Sequence, residues 1–323
     1  MSRFPSSFRS QALRLSLALC ALSVASCVSL TMEPRALLLQ DDGAIRVQTL
    51  PCGTTTVIGP SAASNRTALD SEAIRVVTWN IHKQDDAGWE RDLAQLAGGS
   101  DIVLLQEVTL EGTLRKVIED AGLRWVMASS FLYHEDDIGV LTAARAAPLA
   151  TCTQRTYEPL LGLPKSAVVS YFPLAKSDRT LAVVNVHAIN FTLTLGAYNE
   201  QLTGIGSVLA AHRGPILFGG DFNTWNDARA DAVEELTKHL GLAEVPLAED
   251  RRTLFLGKHL DHLFVRDLAV VSAETFTVTS SDHNPLAATF RLVPQDGAQA
   301  AVVRVERPSD NSGRANYPLT EDP

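Results

Sequence analysis

Positive charge is scarce in this sequence of 323 residues, which has 28 Lys and Arg against 37 Asp and Glu, a formal net charge of −9. An acidic chain lacks the broad positive field with which proteins hold a nucleic-acid backbone. Aromatic residues make up only 6%, and no basic segment interleaved with aromatics is present to track a single strand. These absences argue against tight nucleic-acid binding. They do not exclude a nuclease, because a bound divalent cation supplies positive charge where a phosphate must sit.

Nucleophile motifs and metal-binding cysteine pairs are missing as well. No G-x-S-x-G segment occurs, which argues against a metal-free serine hydrolase. Of the four cysteines, Cys20 and Cys27 lie near the N-terminus, and the spacing of Cys52 and Cys152 does not resemble a metal site. An oxidising compartment would permit a disulfide between the last two. The sequence leaves open whether they form this bridge or are two separate buried thiols.

No hydrophobic run is long enough for a comfortable membrane span, because the N-terminal one covers only Leu15–Val24. Three arginines precede this run, and Val24-Ala25-Ser26-Cys27 follows it. The layout resembles a bacterial lipoprotein signal that ends in a lipobox. We therefore expect residues 1–26 to be a signal peptide and Cys27 to be lipidated. The alternative is an uncleaved N-terminal anchor with an incidental cysteine.

A lipid on Cys27 would hold the protein on a membrane surface without a spanning helix. The residue after the cysteine is Val28 rather than Asp. By resemblance to lipoproteins of two-membrane bacteria, this favours the outer membrane. We expect an exported, lipid-anchored protein on the periplasmic face of the outer membrane or on the cell surface.

Composition divides the rest of the chain into three parts. Residues 27–72 are polar and predict a tether with an N-terminal arm, including a short strand at Ala44–Thr49. Residues 73–293 carry the hydrophobic patterns of a folded domain. Residues 294–323 are polar and predict a flexible tail, with a short strand at Ala301–Val305.

Within the domain, many short apolar runs and few helical patterns predict an α+β fold with two packed sheets. Strict alternation of strands and helices is absent, which argues against a doubly wound parallel sheet. The predicted strands are Ile74–Trp79, Asp101–Leu105, Ile138–Thr142, Ser166–Phe172, Leu181–Val186, Pro215–Phe218, Asp261–Val265, Ala269–Ala273 and Leu286–Leu292. The predicted helices are Trp89–Leu96, Thr109–Ala121, Tyr198–Ala211 and Ala228–Leu240.

Polar residues of ligand type recur at the ends of these predicted strands. They are Asn80, Glu107, His187, Asn190, Asp221, Asn223, Asp261, Asp282 and His283. Side chains at strand ends cluster at one edge of a sheet, so a common site is expected. Carboxylates and amides without thiolates suit a hard cation such as Mg²⁺. The two histidines suit proton transfer and stabilisation of a charged transition state.

Six short segments, in this order, resemble the signature blocks of the endonuclease/exonuclease/phosphatase (DNase I-like) superfamily. They are Thr78-Trp79-Asn80-Ile81, Leu105-Gln106-Glu107-Val108, Asn185-Val186-His187, Gly220-Asp221-Phe222-Asn223, Leu260-Asp261-His262 and Ser281-Asp282-His283-Asn284-Pro285. The chain is most similar to the YafD-type proteins, on Trp79–Gln84, Lys165–Ala167, Val186–Phe191 and Ser281–Leu286. The resemblance implies a four-layer α/β/β/α sandwich of two packed mixed β-sheets.

The resemblance also implies roles for individual residues. Glu107 would be the principal Mg²⁺ ligand, beside Asn80 and Asp282, with Mn²⁺ as an alternative ion. His283, oriented by Asp261, would be the base that activates water, and Asp221 would relay protons. Asn223, His187 and Asn190 would contact phosphoryl oxygens. Lys165 is either a further phosphate contact or a solvated loop lysine.

The expected function is hydrolysis of a phosphate ester by metal-assisted, in-line attack of water, either as a phosphodiesterase or as a phosphomonoesterase. The substrate would be a phospholipid headgroup, a small organic phosphate or nucleic acid, and the protein would be a monomer that contacts the membrane through its lipid. One alternative is a non-catalytic surface lipoprotein that uses the same fold for binding. Another is an extracellular DNase-type nuclease.

Overall fold

Two mixed β-sheets and four α-helices make up the computed structural model, which describes residues 30–31, 37–40, 47–48, 52 and 67–294. The predicted signal peptide, the predicted lipidation site Cys27 and the predicted strand Ala301–Val305 lie outside the described residues. No helix in the described part of the chain is long and apolar enough to cross a membrane.

The strands are β1 (Leu30–Thr31), β2 (Leu37–Gln40), β3 (Val47–Gln48), β4 (Ile74–Asn80), β5 (Ile102–Thr109), β6 (Arg124–Tyr133), β7 (Asp136–Ala144), β8 (Ala150–Tyr157), β9 (Pro164–Pro173), β10 (Thr180–His187), β11 (Ile216–Asp221), β12 (Ala243–Glu244), β13 (Leu254–Phe255), β14 (Lys258–His259), β15 (Asp261–Arg266), β16 (Leu268–Thr275) and β17 (Leu286–Leu292). The helices are α1 (Trp89–Gly98), α2 (Gly112–Asp120), α3 (Gly196–Ala210) and α4 (Asp227–Leu240).

The first sheet has the strand order β16-β17-β4-β5-β7-β6-β2-β3, and β1 pairs with β6 beside this path. The second sheet has the order β12-β15-β11-β10-β9-β8. Each sheet contains a parallel pair at its centre, β4 with β5 and β10 with β11, flanked by antiparallel strands. Strands β13 and β14 form a separate short hairpin.

Three apolar layers hold the sheets and helices together. Between the sheets, residues such as Leu104 on β5 and Leu263 on β15 share one cluster. The outer face of the first sheet packs on α1 and α2, and that of the second sheet packs on α3 and α4. The resulting order of layers is α/β/β/α, as expected from the sequence.

Seven of the described strands are not predicted from the sequence: the short strands β1, β2, β12, β13 and β14, and the longer strands β6 and β8. Strand β8 is an edge strand whose buried positions include the polar residues Thr151 and Thr153, so its apolar content is too low for a strand signal. The predicted helix at Thr109–Ala121 begins later, at Gly112, because β5 continues through an irregularity between Leu105 and Val108 as far as Thr109.

The N-terminal segment joins the domain at several points. Strand β2 extends the first sheet beside β6 with three buried leucines, Leu37, Leu38 and Leu39. Cys52 is bonded to Cys152 on β8, with a Cα–Cα distance of 5.1 Å. The structure therefore has the bridge rather than two separate thiols. Only Val47–Gln48 of the predicted strand Ala44–Thr49 is described, and it pairs with β2.

Candidate active site

The polar residues predicted from strand ends meet at one edge of the two sheets. Strands β4 and β5 are parallel and end near Asn80 and Glu107, while β10 and β11 are parallel and end at His187 and Asp221. Asp221 pairs in register with Asp261 at the start of the antiparallel β15. Parallel neighbours present their carboxyl ends at the same edge, so this topology brings the side chains together.

Glu107 lies at the centre of a group of basic side chains. Its carboxylate forms an ion pair with Lys83, and its Oε1 atom lies 3.6 Å from His187 Nε2 and 4.0 Å from Lys165 Nζ. Burial by itself raises the pKa of Glu107, but His187, Lys165 and Lys83 outweigh it and hold this pKa well below its ordinary value. The carboxylate is therefore ionised at neutral pH, as a cation ligand must be.

His187 is a buried neutral imidazole. Burial and, next in size, the charge of Lys165 lower its pKa to about 4, against the opposing pull of Asp221 and Glu107. Its Nε2 atom lies 2.9 Å from Lys165 Nζ and 3.5 Å from Asp221 Oδ2. Since His187 is uncharged at pH 7, the ammonium groups of Lys165 and Lys83 carry the attraction that keeps Glu107 ionised. Lys165 lies in this contact at the start of β9 rather than in solvent.

Asp221 connects the two halves of the site. Its Oδ2 atom accepts a hydrogen bond from Asn80 Nδ2 at 3.2 Å, and its Oδ1 atom accepts one from the Asn223 backbone N–H at 2.9 Å. Burial raises the pKa of Asp221, while His283 and His187 oppose this effect. Gly220 precedes it with φ +139°, and a Cβ there would lie 2.0 Å from the Val186 carbonyl oxygen. Only glycine allows this approach of β11 to β10.

His283 and Asp261 form a buried pair with Nδ1 and Oδ2 2.7 Å apart. Burial alone would lower the pKa of His283, but the charge and hydrogen bond of Asp261 raise it to about 10. The backbone around His283 is fixed by Trp79 Nε1, which donates to the His283 carbonyl, and by Ser281 Oγ, which accepts from the His283 N–H. The imidazole is thus held with Nδ1 toward Asp261.

The donor atoms fit a hard divalent cation. Ligand atoms of Asp221, Asp261 and His283 lie within 4.8 Å of one another, and Asp261 Oδ1 is buried with no hydrogen-bond partner. Glu107 adjoins this group through His187, which lies between Glu107 Oε1 and Asp221 Oδ2. Carboxylate and amide oxygens without thiolate suit Mg²⁺ or Mn²⁺. A divalent cation could therefore bind at either of two positions, at the predicted ligands Glu107 and Asn80 or at the buried group of Asp221, Asp261 and His283.

Asp282, the third predicted metal ligand, is arranged differently from the others. Its side chain is 59% exposed, and its Oδ1 atom lies 4.0 Å from His82 Nδ1. His82 is also paired with Asp86 at 2.8 Å. The role of Asp282 as a ligand stays a prediction.

The predicted phosphate-side amides are held by a buried arginine that sequence reasoning missed. Arg229 on α4 donates to the carbonyls of Ile189 and Asn190 at 2.6 Å and of Asn223 at 3.0 Å. Its guanidinium lies 4.7 Å from the ring centroid of Tyr198 and 4.5 Å from that of Trp225. A lone arginine in a helix gives no sequence signal for this role.

Backbone conformation at the site is unusual for residues other than glycine. Glu107 and Asn223 both have φ +51°, and the consecutive residues His82, Lys83 and Gln84 have φ between +46° and +62°. Each such residue costs of the order of 1–3 kcal/mol and persists only where the surroundings impose it. Gln84 donates to the Thr109 carbonyl and accepts from its N–H, which fixes the Lys83 turn against β5.

Comparisons with known proteins give the family and the fold of the chain. A family model described as "Endonuclease/Exonuclease/phosphatase family" matches residues 77–283. A UPF0294 protein of Vibrio vulnificus (strain YJ016) is 38% identical over 232 residues, which cover 71% of this chain and 81% of the relative. The human Nocturnin catalytic domain with bound sulfate superposes with a TM-score of 0.54 at 20% identity, covering 71% of this chain and 97% of that one. ANGEL2, described as a 2′,3′-cyclic phosphatase, superposes with a TM-score of 0.56 at 16% identity, covering 72% and 99%.

Proposed function

Since the chain belongs to the endonuclease/exonuclease/phosphatase family, and is therefore a phosphoric ester hydrolase, we propose that it is an exported, membrane-anchored phosphoesterase that depends on Mg²⁺. Members of this family typically depend on a divalent metal ion. The proposal covers both phosphodiesters and phosphomonoesters, with a phospholipid headgroup or a small organic phosphate as the favoured substrate. An acidic chain is poorly suited to a nucleic-acid substrate, so the nuclease alternative has less support.

The observation that carries the proposal is the juxtaposition of the His283–Asp261 pair with Asp221 and, beyond His187, with Glu107. A buried histidine with a carboxylate partner at 2.7 Å is an oriented proton-transfer group. An ionised carboxylate next to two lysines is a place where a cation and a phosphate can meet. A binding module with no catalytic role would have no need for both arrangements at one sheet edge.

In the proposed mechanism, His283 in its neutral form accepts a proton from the attacking water through its Nε2 atom, and Asp261 stabilises the imidazolium that forms. Because the pKa of His283 is raised to about 10, the neutral form is a minor fraction at pH 7 and grows as the pH rises. The water oxygen forms a new bond to phosphorus as the ester P–O bond opposite it breaks. The proton taken up by His283 passes through Asp221, which lies beside both histidines, to the leaving alkoxide, so that His283 returns to its neutral form. Asn223, His187, Asn190 and Lys165 contact phosphoryl oxygens as negative charge develops.

The residues that would hold the ion are Glu107 and Asn80, assisted by Asp282, with Asp221 as a further oxygen donor. A bound divalent ion supplies Lewis acidity and neutralises the charge of the phosphate. Lys83 forms an ion pair with Glu107, so a cation held by that carboxylate would compete with the Lys83 ammonium group for it.

Export and anchoring through Cys27 are part of the same proposal. The Cys52–Cys152 bridge supports them, because disulfides persist in oxidising compartments outside the cytoplasm. The basic segment, the short apolar run and the lipobox at residues 24–27 give the route of export.

The proposal is tested by a hydrolysis screen of the purified protein with Mg²⁺, using bis-p-nitrophenyl phosphate, phospholipids, inositol phosphates and DNA. His283→Ala should reduce turnover by about 10²–10⁴-fold. His239→Ala is the matched control, since His239 is an exposed histidine on α4. Full activity in excess chelator, or no activity on any phosphate ester, would remove the proposal.

A further inference from the structure

Large apolar side chains are exposed on the loops around the candidate site. One group, which we call the first tip, lies on the β8–β9 loop and on the loop after β10, and comprises Leu160, Leu161, Phe191 and Leu193. The second tip is the end of the β13–β14 hairpin, Leu254, Phe255 and Leu256. All seven side chains are at least 49% exposed, and Leu193 reaches 86%. Together the two tips form what we call the apolar rim.

The first tip is fixed to the phosphate side of the site. Glu158 is buried, and its Oε1 atom accepts from the backbone N–H groups of Asn190 at 2.7 Å and Phe191 at 3.1 Å. This bond ties the β8–β9 loop to the loop after His187. Leu160, Leu161 and Phe191 are therefore carried by two adjoining loops next to Asn190.

The second tip is fixed to the opposite, His283 side. Thr253 Oγ1 donates to the carbonyl of Asp282 at 3.0 Å, directly before His283. Thr224 Oγ1, directly after Asn223, donates to the carbonyl of His259 at the base of the hairpin at 2.6 Å. The apolar rim thus brackets the residues that would bind a phosphate.

The start of the described chain lies at the same edge. Leu30 on β1 pairs with Tyr133 at the end of β6, and Leu132 pairs across the β6–β7 turn with Asp137. Thr109 of β5 pairs with Ile138, so this turn is on the Glu107 side of the sheet. Cys27 lies three residues before Leu30, and three residues span at most about 11 Å. A lipid on Cys27 would therefore enter the membrane close to this edge.

We propose that the site edge faces the lipid surface, that the apolar rim enters the headgroup–acyl boundary, and that the substrate is a phosphate ester of a membrane lipid. This inference rests on the proposed function. A lipid surface suits the apolar rim. The exposed leucines and phenylalanines would contact the acyl chains, and the lipid phosphate groups would then lie at the level of the site between the two tips. The apolar rim and the lipid on Cys27 would then give the chain two attachments to the membrane at one edge of the domain.

The net charge of −9 is consistent with apolar rather than electrostatic attachment. It follows that binding should occur on zwitterionic lipid and should vary little with salt.

The first test measures co-sedimentation of the mature chain, residues 27–323 with Cys27→Ser, with phosphatidylcholine vesicles. Two double variants remove each tip, Leu161→Ser with Leu193→Ser and Phe255→Ser with Leu256→Ser. We expect each to weaken partition at least tenfold. Val271→Ser is the matched control, because Val271 is 61% exposed but lies within strand β16. Hydrolysis of soluble bis-p-nitrophenyl phosphate should remain unchanged in all three variants, which also reports that they fold.

The second test measures release of water-soluble phosphate or headgroup from vesicles of phosphatidylcholine, phosphatidylethanolamine and phosphatidylglycerol. Release by the parent chain that falls at least tenfold in both double variants supports a lipid substrate. The inference is wrong if the tip variants bind vesicles as strongly as the parent chain does. It is also wrong if the parent chain does not bind vesicles and instead forms a dimer that the tip variants do not form. If the vesicles bind the parent chain but not the tip variants, and no ester is hydrolysed, the proposed membrane contact stands. The proposed lipid substrate and the proposed phosphoesterase function would then both be wrong. Hydrolysis of the soluble ester alone would overturn only the lipid substrate.

Discussion

Replacing Asp261 by Asn should lower the pKa of His283 by about three, because it removes the charge on the Nδ1 side of the ring and keeps the shape. Nδ1 and Oδ2 are 2.7 Å apart, and both residues are buried. Unit charges about 4 Å apart attract by about 4 kcal/mol at an effective dielectric constant near 20, and about 1.4 kcal/mol corresponds to one pKa unit. From about 10 in the metal-free protein, the pKa should fall to about 7 in Asp261→Asn.

The pKa is measured by following the His283 imidazole signals in an NMR titration of the metal-free protein. Asp250→Asn is the matched control, because Asp250 Oδ2 lies 3.2 Å from His259 Nε2 and belongs to a different Asp–His pair. It should leave the His283 titration unchanged. A His283 pKa at or below about 6.5 in the parent protein, or an equal effect of the two substitutions, would refute the reasoning.

The same pair sets the pH dependence of activity. If His283 must be neutral to accept a proton, kcat/KM should rise with pH through its pKa, and Asp261→Asn should move that limb to lower pH while reducing the plateau. His283→Ala combined with Asp261→Asn should cost much less than the product of the single effects, because the two residues act as a unit. His187→Ala should retain the limb. If the limb survives His283→Ala and disappears in His187→Ala, the two histidines have exchanged roles.

Stability should follow the sign of this pKa change. A histidine whose folded pKa is raised binds its proton more tightly in the native state, so its contribution is fully present below about pH 6.5. The contribution is lost as pH rises through about 10. The free energy of unfolding of the metal-free parent, measured with urea, should therefore decrease as the pH rises between these values. In Asp261→Asn this decrease should be smaller.

Four further outcomes are expected. Glu107→Gln should weaken Mg²⁺ binding by about a factor of 10 or more in calorimetric titration, since it removes the ligand charge; equal affinities would place the ion elsewhere. Reduction of Cys52–Cys152, which closes a loop of 100 residues, should lower the free energy of unfolding by up to about 4.7 kcal/mol in urea, and an unchanged midpoint would contradict this. Cys27→Ser should move the protein out of the membrane fraction, and an unmodified native N-terminus by mass spectrometry would end the lipoprotein hypothesis. Gly220→Ala should destabilise by about 3 kcal/mol or more, because its Cβ would meet backbone rather than a mobile side chain; a Tm within the range of surface variants would argue against the close approach.

The two packed sheets and the gathering of site residues at one edge could be predicted because they follow from local signals. Apolar runs such as Ile74–Trp79 and Leu181–Val186 indicate buried strands, and the polar residue that follows each run marks its end. The four-layer α/β/β/α order was implied by the family resemblance of the six motif blocks. Strand β8 gave no comparable signal, since its buried positions include Thr151 and Thr153, whose partners on β9 are Ser170 and Val168.

The charge balance of the site could not be predicted from the order of residue types. Whether His187 is neutral and His283 protonated depends on which carboxylate lies within hydrogen-bond distance of which ring, and on how much water each ring loses. Both histidines lie next to an apolar strand, but only His283 has an acidic neighbour in the sequence, Asp282. Only the register of β11 against β15, which sets Asp221 opposite Asp261, separates their environments.

Support from outside the motifs explains why the site can hold strained backbone. Asn223 keeps φ +51° while Arg229 donates to its carbonyl and Ala188 accepts from its side chain, and Gln84 fixes the left-handed turn that carries Lys83. Two of these contacts, Asn223 with Ala188 and Gln84 with Thr109, join residues 35 and 25 positions apart, so no local pattern specifies them. The cost of the strain is offset by aligned hydrogen bonds inside a dry interior, where they are stronger than in water. A site built this way is fixed before substrate arrives, which is the condition under which hydrogen-bond donors stabilise developing charge without reorganising.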